Sequence, residues 1–109
     1  MARRYMIIRV DYRLLIWYDI QADKFEPYYR YMVGDFVTDA RQLGLHMYFV
    51  WQVSYGDYPS RQLEFVVESR DTLRTALLSP KWQAAEERLK SYTYNYGRKV
   101  VSFENRFQF

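Results

Sequence analysis

The chain is expected to form one α+β domain in which strands and helices follow the order βαββαβ, giving an antiparallel sheet with both main helices on one face. Three observations predict this. Four segments alternate apolar and polar residues with a period of two, two longer stretches carry apolar residues at helical spacing, and a turn cluster joins the second and third strands. A length of 109 residues suits a single core.

The first strand runs from Tyr5 to Tyr18. Its even positions (Met6, Ile8, Val10, Tyr12, Leu14, Ile16, Tyr18) make one apolar face, while Arg9, Asp11 and Arg13 occupy the other. A helix then starts at Asp23, with Glu26 at capping-box spacing and Pro27 in or near the first turn. Phe25, Tyr29, Met32, Val33, Phe36, Val37, Ala40 and Leu43 form its expected buried stripe. Gly44 sits where a left-handed C-terminal cap belongs, and Gly34 is expected to permit close packing.

The second strand, Leu45 to Tyr55, has a wholly apolar odd face (Leu45, Met47, Phe49, Trp51, Val53), assigned to the helices. Gly56 to Ser60 is the turn, and Arg61 to Glu68 is the third strand, with Leu63, Phe65 and Val67 facing the core. Ser69 caps a short helix reaching Leu78. Ser79-Pro80 then restarts a helix that buries Trp82, Ala85, Leu89 and Tyr92 and stops at Gly97. The last strand, Lys99 to Phe109, is expected to turn Val101, Phe103 and Phe107 toward the helices. The result is a ferredoxin-like sheet.

Composition narrows the function classes. Half of the residues are hydrophobic and twelve are tyrosines, so disorder is a poor reading. With no cysteine, disulfides, thiolate metal sites and a cysteine nucleophile are excluded. A net charge of +3 with well-mixed signs is compatible with an anionic partner, nucleic acid included, and surplus surface arginines are the favoured reading. The apolar stretch after Met1-Ala2-Arg3-Arg4 is broken by Arg9, Asp11 and Arg13, so neither a signal peptide nor a membrane span is expected, and the cytoplasm is the expected location. No glycine-rich phosphate loop or nucleophile elbow is present.

The face away from the helices is the expected functional surface. On this reading it holds Arg9, Asp11, Arg13, His46, Tyr48, Val50, Gln52, Gln62, Glu64, Val66, Val100, Ser102, Glu104 and Arg106. His46, the only histidine, could serve as a general acid or base beside Tyr48; the alternative is an exposed strand-end residue without a role. Arg9, Asp11 and Arg13 project to one side of one strand. Arginine forks of this kind suit a carboxylate or phenolate, and the competing reading is an ion-pair network with Glu64 and Glu104. One histidine cannot make a multi-histidine metal site. Carboxylates completing a metal site, or one axial histidine holding haem, have no supporting motif, so no metal or cofactor is expected.

The element order, the long hairpin, and Leu78-Ser79-Pro80-Lys81-Trp82 opening the second main helix resemble the dimeric α/β barrel superfamily. The resemblance covers nearly the whole chain. It implies a homodimer whose open faces meet around a small-organic-ligand chamber. Its members include cofactor-independent monooxygenases, cyclases, lactone isomerases, haem-binding enzymes and proteins without known activity.

The expectation is a small cofactor-independent enzyme of secondary metabolism acting on an aromatic or polycyclic molecule, of monooxygenase, cyclase or isomerase type. His46, Tyr48 and Asp11 are its candidate catalytic residues; Arg9, Arg13, Gln52, Glu64, Glu104 and Arg106 are the candidate substrate-binding set. The alternative is a non-catalytic ligand-binding or accessory dimer. RNA-recognition domains share the element order, yet Phe65 belongs to the helix side here and Glu64 would repel phosphate, so nucleic acid is a disfavoured partner.

Overall fold

The computed structural model describes residues 6–55 and 58–108, with side chains described for 11–48, 50 and 61–102. Four strands, β1 (Met6–Ile20), β2 (His46–Tyr55), β3 (Tyr58–Val67) and β4 (Thr93–Gln108), form one antiparallel sheet in the order β2-β3-β1-β4. Between β1 and β2 lie a 3₁₀ turn (Ala22–Lys24), α1 (Phe25–Tyr31), a π-helical segment (Met32–Phe36) and α2 (Val37–Gln42). Between β3 and β4 lie α3 (Arg70–Leu78) and α4 (Pro80–Ser91). This is the α+β ferredoxin-like sheet that the periodicity predicts, with its helices on one face.

The helix caps follow the sequence where short polar side chains were expected to supply them. Ser69 Oγ accepts a hydrogen bond from the Thr72 backbone N–H at 3.1 Å, and Ser79 Oγ accepts one from that of Trp82 at 3.1 Å. Gly44 ends the first helical stretch at φ 86°, and a Cβ there would come within 2.7 Å of Thr72 Cγ2. No side chain caps the start of that stretch, however. A 3₁₀ turn occupies the place where Asp23 was expected to cap.

The buried stripe of the first helical stretch also differs from expectation. Tyr28, Tyr31, Met32, Phe36 and Ala40 are buried, while Phe25, Tyr29 and Val33 are exposed. The π-helical turn is the reason. It inserts one residue into the repeat, so the half before it presents a face rotated by one position relative to the half after it. Gly34 lies in this turn with nothing near its absent Cβ, so close packing does not account for it.

Two β-bulges decide which residues face the helices. In β2 the register with β3 shifts between Met47 and Phe49, leaving Tyr48 as the extra residue. Met47 stands opposite Phe65, but beyond the bulge Val50 stands opposite Leu63, while Phe49 and Trp51 stand opposite Glu64 and Gln62. In β4 the shift falls where Tyr18 would pair, beside Asn95 at φ 53°. From there on the even residues Arg98, Val100, Ser102, Glu104 and Arg106 pair with the core row of β1. Val101, Phe103 and Phe107 pair instead with the row of Arg13, Asp11 and Ile7. The expected faces of β2 after Tyr48 and of β4 are therefore exchanged.

Gly97 is not a helix terminator, because α4 ends at Ser91. It pairs with Trp17 inside the sheet, and a Cβ there would overlap the Trp17 indole. Of the predicted turn, Gly56-Asp57 lies outside the described residues, while Tyr58, Pro59 and Ser60 already belong to β3.

The core gathers around Phe36. Its ring lies 5.8 Å from Tyr31, 6.1 Å from Phe65 and 5.7 Å from Trp82, joining the helices to β3. Leu14, Ile16, Leu63 and Leu89 are fully buried around it. The buried hydroxyls of Tyr18 and Tyr28 meet at 2.5 Å, and Tyr31 donates to the Ala85 carbonyl at 2.9 Å. Burial pushes the Tyr31 hydroxyl up to about 12 and raises Tyr18, Tyr28 and Tyr96 as well.

Two outcomes follow from this packing. Gly44→Ala should lower unfolding free energy by roughly 1–2 kcal/mol, read from the urea midpoint, because a side chain is strained at that φ. Stability should also fall on the alkaline side. The folded pKa of these tyrosines lies above the unfolded value of about 10, so their contribution is full below about pH 10 and is lost as pH rises toward the folded value. Replacing Tyr31 with Phe should flatten that decline in unfolding experiments between about pH 9 and pH 12.

Candidate functional site

The helix-free face of the sheet brings together part of the predicted site. Arg13 of β1 donates from Nη1 to Glu64 Oε1 of β3 at 2.8 Å, and both side chains are partly buried. The Arg13 guanidinium also lies 4.8 Å from the centre of the Tyr48 ring. Tyr48 reaches it because the bulge frees this residue from the β2 register. Its side chain stays 61% exposed, leaving much of it open to a ligand. The hydrogen bond to Glu64 is the main cause raising the Arg13 pKa; burial opposes it, and the charges of Glu64, Tyr48 and Asp11 add to it.

His46 lies on the same face. It pairs with Val66, which in turn pairs with Arg13, so His46 and Arg13 occupy one cross-sheet row with β3 between them. Two strand spacings put their backbones roughly 10 Å apart. His46 is exposed, and its side chain makes no hydrogen bond or ion pair among the described residues. Asp11 is one step along β1 from Arg13, opposite Phe103.

The remaining predicted residues separate. Arg9 keeps the register of the Asp11–Arg13 row but pairs with Asn105 beyond the end of β3. Gln52 was expected on the open face; the bulge sets it opposite Arg61, in the row of Val50 and Leu63. Glu104 and Arg106, also expected there, pair with Val10 and Ile8 in the core row of β1. The side chains of Arg9, Gln52, Glu104 and Arg106 lie outside the described residues. Val100 and Ser102 change faces with them.

The open face gains apolar character in exchange. Trp17 lies over Gly97 and is 39% exposed, and Val101 stands opposite Arg13. Trp17 was legible as an open-face residue from its odd position in β1. Charge, not aromatic area, is what marks that face in the sequence. A polar clamp of Arg13, Glu64 and Tyr48 beside aromatic surface can hold a flat molecule bearing an anionic or phenolic oxygen. Among the described residues no group of three His, Asp or Glu side chains could hold a metal ion, and no helix is long and apolar enough to cross a membrane.

With this geometry in view, the fold is the ferredoxin-like α+β fold of antibiotic biosynthesis monooxygenase-like and NIPSNAP proteins. An antibiotic biosynthesis monooxygenase-like protein from Nitrosomonas europaea superposes with a TM-score of 0.62 at 15% identity, covering 87% of this chain and 89% of that one. SnoaB, a cofactor-independent oxygenase from Streptomyces nogalater, gives 0.57 at 15% identity over 85% and 90%. A NIPSNAP family protein from Agrobacterium tumefaciens gives 0.63 at 16% identity over 84% and 83%. No protein-family model and no curated protein matches the sequence. At these identities the likeness is one of fold.

The Arg13–Glu64 contact should behave as a real but modest link. A double-mutant cycle with Arg13→Gln and Glu64→Gln is expected to return a coupling of about 1 kcal/mol in unfolding free energy. A coupling near zero would mean that solvent screens the pair as it does an exposed one.

Proposed function

We propose that two copies of this chain pair through their helix-free faces and enclose a chamber in which an aromatic or polycyclic small molecule is converted without a bound cofactor. The observation that carries this reading is the clamp of Arg13, Glu64 and Tyr48 on a sheet face that no helix covers. The long strands support the pairing. Among the described residues, 6–11 of β1 pair only with β4, so a two-stranded ribbon extends past β3 and contributes to a longest dimension of 67 Å. A two-stranded ribbon is marginal in water by itself, and a second copy would give it the neighbour it lacks. Likeness of fold to a cofactor-independent oxygenase favours this chemistry among the alternatives.

In this reading Arg13 holds a phenolic or enolic oxygen of the substrate in its anionic form, with Glu64 fixing the guanidinium. Tyr48 and His46 exchange protons with the bound molecule, and Asp11 sets the charge balance around Arg13. Trp17 supplies flat apolar contact. A second reading, a dimer that binds such a molecule without converting it, is favoured by one observation. Among the described residues no side chain hydrogen-bonds His46, as the orienting partner of a general base would.

Light scattering over a dilution series should show a dimer persisting to low concentration; a monomer throughout would sink the enclosed chamber. Against a panel of polycyclic phenols, oxygen uptake and product mass should reveal turnover. The His46→Ala, Tyr48→Phe double variant should then lose roughly a hundredfold or more in rate. Turnover unchanged in that variant removes the proton-transfer roles, and tight binding without turnover selects the second reading.

A further inference from the structure

The opposite side of the sheet carries a second concavity. There β4 is the edge strand; α4 reaches its first half, where Glu86 meets Tyr96 and Arg98, and the part around Val100 is left uncovered. Val100 stands opposite the fully buried Leu14 in the core row, yet it is 49% exposed. The strip left uncovered between α3 and β4 is a pocket of about 540 Å³, within the range of roughly 300–1,000 Å³ typical of small-molecule sites.

Its chemistry is sharply divided. Tyr12 and Val100 come from the sheet, and one face of α3 forms the facing wall. That face reads Arg70, Leu73, Arg74, Leu77, Leu78, spaced i, i+3, i+4, i+7, i+8. A helix face turned toward a sheet is expected to be apolar along its length. This one is apolar only at Leu73, Leu77 and Leu78. Arg70 occupies the first turn, where the helix macrodipole disfavours positive charge, and Arg74 the middle, where the macrodipole gives it no benefit. A third arginine, Arg98 of β4, is held by Glu86 at 3.1 Å. Arg70 and Arg74 form no ion pair among the described residues.

We infer that this pocket binds a hydrophobic carboxylate, with the acid between Arg70 and Arg74 and the hydrocarbon body against Leu73, Leu77 and Val100. Two unneutralised guanidinium groups supply forked donors for the carboxylate. The leucines and valine supply the apolar contact that a fully polar anion could not use. The chain enters α3 from the end of β3 where Val67 pairs with Tyr12, so the arginines lie toward the Tyr12 end of the pocket and the apolar part extends toward Leu78. The site lies on the other side of the sheet from Arg13 and Tyr48, so it stands or falls separately from the chamber proposed above.

The test uses decanoate and decanol, which share a hydrocarbon body and differ in charge, in competition with the fluorescent anion 8-anilinonaphthalene-1-sulfonate on the full chain. Decanoate should bind about tenfold or more tightly than decanol, the discrimination expected of a charge-assisted pair. The Arg70→Gln, Arg74→Gln double variant should abolish that difference while leaving decanol displacement unchanged. Val100→Trp, which fills the pocket from the exposed strand edge, should weaken both ligands. Tyr48→Ala on the opposite face should change neither. Equal binding of decanoate and decanol to the wild-type chain, or wild-type decanoate binding by the double arginine variant, would overturn the inference. Loss of decanoate binding in Tyr48→Ala would place the ligand on the other face and also overturn it.

Discussion

The position of the Phe36 ring is the constraint on which the rest of this structure depends. It touches Tyr31 before it in the chain, Phe65 of the sheet and Trp82 of the last helix, so both helical stretches and the sheet share one side chain. The π-helical turn that ends at Phe36 makes the arrangement possible. Without the extra residue, the face that buries Phe36 and Ala40 would continue backwards through Val33 and Tyr29, and Tyr28 and Tyr31 would turn outward. With it, those two tyrosines reach the core, where one hydroxyl meets Tyr18 and the other the Ala85 carbonyl. The helices are thereby committed to one side of the sheet, and the other side is left to carry the candidate site.

A one-sided cover makes strand parity the controlling variable. Along a strand, one inserted residue exchanges every later side chain between core and open face. The bulge at Tyr48 and the one beside Asn95 act in this way. The first lifts Tyr48 out of register so that its ring meets Arg13, and it brings Phe49 and Trp51 opposite Glu64 and Gln62. The second brings Arg98 and Val100 to the helix side, where the edge of the helix layer leaves them beside an open pocket. Both candidate sites thus originate in bulges, the irregularities that commonly re-aim side chains near functional surfaces.

The two sides of the sheet present different chemistries. The open face sets an arginine already tied to a glutamate beside exposed aromatic rings, a combination suited to flat molecules with one polar edge. The pocket beside α3 holds arginines without ion-pair partners among the described residues above an aliphatic floor, suited to an acid with a greasy body. The difference is one of charge balance, and it separates the two proposals without reference to any neighbour's activity.

Much of this was determined by the sequence itself, wherever a local rule decides the outcome. The alternation of β1, the core positions Leu63, Phe65 and Val67 of β3, the serine caps at Ser69 and Ser79 and the glycine stop at Gly44 all rest on chemistry within a few residues. The element order, and with it the fold class, follows from these. On the site, Arg13 and Glu64 were legible as open-face residues because the register shifts add no residue to β1 or β3, and His46 and Tyr48 because one precedes the β2 bulge and the other sits at it.

Gln52, Glu104 and Arg106 take a register other than the expected one because each lies beyond a bulge, and a bulge is a compromise between strands distant in the chain. Asn95 at positive φ and Gly97 beneath Trp17 lie within Tyr94-Asn95-Tyr96-Gly97, which reads locally as a helix end. Only the partner strand β1 makes it a kink in β4. The π turn has the same origin, since local propensity does not favour it and only the shared burial of Tyr28, Tyr31 and Phe36 repays it. The sequence by itself therefore determined which segments are strands and helices, because hydrophobic period and caps are local. Tertiary structure decided which way the later residues point, because register is a contract between segments that meet only when the chain is folded.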